Sequence, residues 1–179
     1  MEKVLVSACL LGERVRYDAK SVGVHDALLE RWVAEGRVVP ICPEVAGGLP
    51  VPRPACEIQG GTGVDVLAGR ALVVSRAGAD ATDAFRRGAE RALAAARQHG
   101  IRVAVLKERS PSCGSLAIYD GSFTGTRLEG EGVTTALLRA HGVQVFSEEG
   151  LAEADAALRA LEESKRRGCP PSGWPAGSD

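Results

Sequence analysis

Three cysteines in this chain each stand just past a short apolar run. Cys9 follows KVLVSA (Lys3 to Ala8) and Cys42 follows RVVPI (Arg37 to Ile41). Cys113 lies in the turn SPSCG, after IRVAVL (Ile101 to Leu106). A thiol in a Ser/Pro/Gly turn at the end of a buried strand is placed for chemistry and poorly placed for packing. Three thiolates at one edge of a sheet, with no fourth ligand evident, suit a metal centre that keeps one position open. A [4Fe–4S] cluster normally takes four cysteines, so three leave one iron free. An open position is what lets a metal act as a Lewis acid. Zinc also accepts thiolates, but its sites usually contain a close pair such as C-x-x-C, which this chain lacks. The bland alternative is that cysteine is a small, commonly buried residue and that three fall together by chance.

Other groups could serve such a centre. Glu44 lies two residues after Cys42, in CPE, where a carboxylate could bind metal, activate water or shuttle a proton. Ser110 and Ser112 flank Pro111 and could orient a ligand, although turns favour Ser and Pro anyway. Gly125, Gly130 and Gly132 precede Val133-Thr134-Thr135 and could let backbone approach an anion at a helix N-terminus. Arg16, Arg53 and Arg109 are candidate anion clamps. His25, His99 and His141 each fall near a helix end and read as surface or capping residues. Cys56, in PRPACEI, is a fourth thiol that would close a cluster if it were a ligand; a small buried or loop thiol is the expected role. Cys169 reads as a spectator.

These residues need a scaffold, and its class is legible. Lys3 to Ala8, Arg37 to Ile41, Ile101 to Leu106 and Val143 to Phe146 read as strands. Pro40 suits a strand end or an unpaired backbone position. Val24 to Glu35, Asp80 to His99, Val133 to His141 and Leu151 to Arg167 read as helices, with Gly36, Gly100 and Gly142 closing three of them. Asp80 or Thr82 could cap the second. This order predicts an α/β fold, a three-layer Rossmann-like arrangement with a mostly parallel sheet. Ligands then bind at the carboxyl ends of the strands, which is where all three cysteines emerge.

Between Cys42 and Gly63, prolines and glycines forbid regular helix over most of the stretch. A loop this long is usually functional or disordered, and its apolar and cysteine content argues against disorder, so one long functional loop is expected. Val64 to Leu67 and Arg70 to Val74 read as a small β-ribbon. Residues 1–167 form one expected domain, and 168–179 an expected mobile tail.

The 179 residues suffice to bury a core, and a hydrophobic share of 45% with 25% charged residues is ordinary for a globular protein. A net charge of −1 argues against a strong nucleic-acid footprint. No apolar run approaches the length of a membrane span, and the N-terminus is too quickly interrupted for a signal peptide. A cytoplasmic location is expected, where cysteines more often bind metal, catalyse or lie buried than form disulfides. No G-x-G-x-x-G follows the first strand, which disfavours a dinucleotide-binding domain.

Taken together, VSACLLG with RYD downstream, CPE-x-x-GGLP-x-PR, SPSCG-x-x-x-IYDGSFTG, GEGVTTALLR and VFSE resemble the thiouracil desulfidase family, over about Val4 to Glu148. The resemblance implies a [4Fe–4S] cluster held by Cys9, Cys42 and Cys113, with one open iron for the thiocarbonyl sulfur. It implies catalytic roles for Glu44, activating water, and Ser110, assisting proton transfer or holding the ring. The implied substrate is a small thiolated pyrimidine such as 2-thiouracil, and the implied products are uracil and sulfide. A cluster- or zinc-binding protein without turnover, such as a sulfur carrier or redox sensor, is the alternative.

Overall fold

The computed structural model describes residues 1–168; most of the expected tail, with Cys169, lies outside them. Four parallel strands form the central sheet: β1 (Val4–Ser7), β2 (Val38–Ile41), β5 (Val103–Leu106) and β8 (Gln144–Ser147), in the order β2-β1-β5-β8. The two central strands are buried at every residue. Their apolar runs, interrupted only by Ser7 at the end of β1, follow from a sheet covered on both faces. Pro40 sits in β2, at the sheet's edge, where its missing N–H costs no ladder bond.

Helices cover both faces. On one side α1 (Ala27–Ala34) and α6 (Leu151–Arg166) bring Leu29, Trp32 and Leu158 against Val4, Val6, Val103 and Val105. On the other, α4 (Thr82–Gln98) and α5 (Val133–Ala140) bring Ala92, Leu93 and Leu138 against Leu5, Ala104 and Leu106. Alternate residues of one strand thus feed opposite cores. Trp32 is fully buried and its indole N–H donates to Asp155 at 3.0 Å, so its polar edge is satisfied. Helix α1 begins later than its apolar spacing suggests, because Asp26 caps it, accepting from the Leu28 N–H at 2.8 Å.

The long segment after β2 differs from its expected form. Cys42 leads into a single helical turn, α2 (Pro43–Ala46). Pro43 occupies the first helical position, where a missing N–H is no loss. The ribbon exists, but its strands are β3 (Cys56–Gln59) and β4 (Leu72–Ser75), paired antiparallel. The stretch expected as its first strand is instead a helix, α3 (Gly63–Leu67). The Asp65 carboxylate accepts from the Thr62 N–H at 3.0 Å, a capping box that outweighs the β-branched Val64 and Val66. A second small hairpin, β6 (Ala117–Tyr119) with β7 (Arg127–Glu129), has strands too short to stand out in the sequence.

Two close approaches lock α2 in place. A Cβ on Gly88 would lie 2.1 Å from the Pro43 carbonyl oxygen, and one on Gly47 2.0 Å from that of Ala84. The backbones of α2 and α4 therefore meet directly, which only glycine permits.

Candidate active site

β1, β2 and β5 end at one edge of the sheet, and the segments leaving them line a cavity of about 490 Å³. Cys9 comes from a 3-10 turn (Ala8–Leu11) immediately after β1. Cys42 precedes α2 and Cys113 closes the turn after β5. All three line the cavity, together with Glu44 and Ser110.

The thiols sense one another. Burial pushes Cys9 up to about 11, and the negative potential of Cys42 adds to this, while Arg16 and Lys107 oppose it. Burial likewise raises Cys42, and raises the buried Cys113, which also feels Cys9 and Cys42. Their raised values keep these thiols protonated at neutral pH, so a metal must displace their protons on binding. The Ser7 hydroxyl lies 3.7 Å from the Cys113 sulfur. It also accepts from the Lys107 N–H at 3.0 Å, which ties β1 to the end of β5.

The donor set fits a compact group with several soft corners. Among the described residues no three His, Cys, Asp or Glu side chains stand close enough to grip one metal ion. Cys9, Cys42 and Cys113 line one cavity, and soft thiolates are the donor type that an iron–sulfur cluster takes.

The turn carrying Cys113 is built by its neighbours. Ser110 Oγ accepts from the Ser112 and Cys113 N–H groups, both at 3.1 Å. Its hydroxyl hydrogen is thereby left for another acceptor, and the Glu44 Oε1 stands 3.5 Å away. Glu108 pins the chain on the far side of the turn. Its buried carboxylate accepts from the N–H groups of Ser115, Leu116 and Ala117 and from the Ser115 hydroxyl at 2.6 Å. Burial pushes this carboxyl up, but the hydrogen bonds outweigh it and hold it below the usual range.

The start of α5 is not an anion site. The N–H groups of Val133 and Thr134 donate to the carbonyls of Pro111 and Ser112, both at 2.9 Å. A Cβ on Gly132 would lie 2.4 Å from the Ser112 carbonyl. Gly132 serves close packing of the cysteine turn, which corrects the anion expectation at the start of α5.

The remaining candidates divide. Arg16 lines the cavity, pairs with Asp18 at 3.2 Å and stacks over Tyr17. Arg109 lines it too, half-exposed, 3.7 Å from Glu149. Arg53 is buried and bound to Glu44 at 2.7 Å. Cys56 lines the cavity, raised to about 11 by burial, but its charged neighbours are Glu44 and Arg53 and not the other thiols. None of the three histidines lines the cavity. Sequence reasoning missed Ser7, Glu108, and the Lys107–Glu148 ion pair that joins the ends of β5 and β8. The only signal was their position at strand ends.

Fold and site define an α/β protein with a thiol-lined cavity at the carboxyl edge of a parallel sheet. The chain belongs to the 2-thiouracil desulfurase family, whose pattern it matches over residues 4–150. It is 45% identical over 150 residues to the uncharacterized protein YbbK of Bacillus subtilis (strain 168), covering 83% of this chain and 97% of that one. It is similar to a solved structure of the [4Fe–4S]-dependent thiouracil desulfidase TudS, with 53% identity and a TM-score of 0.83. That match covers 90% of this chain and all of the other.

Proposed function

We propose that this chain is a [4Fe–4S]-dependent desulfidase that exchanges the thiocarbonyl sulfur of a small thiolated pyrimidine, such as 2-thiouracil, for oxygen. The observation that carries the reading is one cavity holding Cys9, Cys42, Cys113, Glu44 and Ser110. Family membership and the similarity to TudS support it.

Cys9, Cys42 and Cys113 would hold the cluster. When bound, it supplies an iron without a protein thiolate, a soft Lewis acid matched to sulfur. The protein's own groups handle the protons. Glu44 Oε1 takes a proton from water as the water oxygen bonds to the ring carbon. The carbon–sulfur bond breaks, and the protons drawn from water leave with the sulfur as hydrogen sulfide. Thiouracil and water thus become uracil and hydrogen sulfide, with no change of oxidation state. Ser110, its Oγ held by two N–H groups, presents its hydroxyl hydrogen to Glu44 or to the ring. Buried walls around Cys113 exclude bulk water from that side.

The reading takes residues 1–167 as one Rossmann-like domain. It has the enzyme act in the cytoplasm on a free small molecule, without a nucleic-acid partner, in keeping with a net charge of −1. No helix among the described residues is long and apolar enough to cross a membrane. The test is uracil release from 2-thiouracil by the iron-loaded chain under nitrogen. A loaded chain that releases nothing from any thiolated pyrimidine would favour a carrier or sensor.

A further inference from the structure

Glu44 can accept a proton from water only through an oxygen that faces the cavity, and its two oxygens are not equivalent. Oε2 accepts from Nε of Arg53 at 2.8 Å and is ion-paired with its Nη2 at 2.7 Å. Oε1 is turned to Ser110. The arginine side chain is the more buried partner, 4% exposed against 16%.

The guanidinium has five N–H donors, and all are accounted for. Two go to Glu44. The two on Nη1 reach the carbonyls of Val15 and Pro50 at 3.1 and 3.0 Å, and the second on Nη2 reaches Val15 at 3.2 Å. None is left for a substrate, which removes Arg53 from the candidate anion clamps. The same Val15 carbonyl lies 3.8 Å from the Cys42 sulfur, and the Arg53 backbone N–H donates to the Tyr17 carbonyl at 2.9 Å. The planar fork thus fastens the Glu44 carboxylate to the segment that follows Cys9.

From this geometry we infer that Arg53 is the positioning residue of the desulfidation reaction: it clamps one oxygen of Glu44 so that the other faces the reacting water. The inference rests on the desulfidase reading and deepens it. A lysine cannot replace the fork, because its three donors radiate from one nitrogen.

The test compares wild type, Arg53→Lys and Arg53→Ala after anaerobic loading, with iron counted in each. With 2-thiouracil, both variants should load iron as wild type does. Their kcat should fall about 100-fold, the scale set by a misplaced catalytic group, with KM within about twofold. Added guanidinium should restore part of the kcat of Arg53→Ala, which a purely structural loss would not allow. A second arm uses the cluster-free chain in urea. Arg53→Lys should shift the unfolding constant at least about fivefold more in the wild-type background than beside Glu44→Ala. Wild-type activity together with a fully active Arg53→Lys, or independent effects in urea, would overturn the inference alone. A loaded wild type that releases no uracil would overturn the desulfidase reading and the inference with it.

Discussion

Replacing Glu44 by glutamine changes one atom and almost no volume. Arg53 offers only donors, so the amide oxygen of the substituted side chain must take its side, where Nε and Nη2 now converge on Oε2 at 2.8 and 2.7 Å. The amide nitrogen is then forced into the place of Oε1, facing Ser110. A proton acceptor becomes a donor at the one point where water must be activated, while the cavity keeps its shape. Loss of a general base costs about 10²- to 10⁴-fold in turnover, or about 2.7–5.4 kcal/mol of transition-state stabilisation. The folded state loses charge assistance in one ion pair, about 1–2 kcal/mol. Iron content and the visible spectrum should match wild type, and KM for 2-thiouracil should change little. The assay is uracil formation under nitrogen by the iron-loaded variant. A Glu44→Gln enzyme keeping more than about a tenth of wild-type turnover would refute the base assignment.

Three further outcomes follow from the scaffold. Glu108 is held below its usual range in the fold, so its stabilisation is present above the unfolded value near 4.5 and fades as pH falls through the folded one. Glu108→Gln should therefore cost about 2–3 kcal/mol at pH 7 in urea unfolding, with the gap closing progressively below pH 4.5. Gly88→Ala puts a methyl group 2.1 Å from the Pro43 carbonyl. It should cost about 1–3 kcal/mol and reduce iron loading, because α2 carries Glu44 and follows Cys42; normal loading would show that α2 can shift freely. Cys56→Ser should load as much iron as wild type, since Cys56 senses Glu44 and Arg53 instead of the other thiols; a lost iron on assay would make it a ligand.

The convergence of the cysteines was legible because parallel strands share a direction. Three residues at strand ends must then reach one edge, whatever their spacing in sequence. Glu44 was legible because only one residue separates it from Cys42. Where the sequence misled, two local signals competed or a partner lay far away. Val64 to Leu67 is β-branched enough to read as a strand, yet Thr62 and Asp65 start a helix there. The strands β6 and β7, at three residues each, carry too little periodicity to detect. The use of Arg53 depends on Val15, 38 residues away, whose carbonyl takes two of its donors. Nothing in the sequence marks Glu108, because only the folded turn after Cys113 supplies the N–H groups that fill it.

The central claim is that three thiols hold a cluster at which thiocarbonyl sulfur is exchanged for oxygen. It is tested most directly by loading the chain with iron and sulfide under nitrogen, counting iron, adding 2-thiouracil and measuring uracil and sulfide in the same vessel. The account predicts about four irons per chain, a broad visible charge-transfer band, and uracil and sulfide in equal amounts, all lost in Cys113→Ala. A chain that takes up no iron, or whose uracil release survives Cys113→Ala, would contradict it.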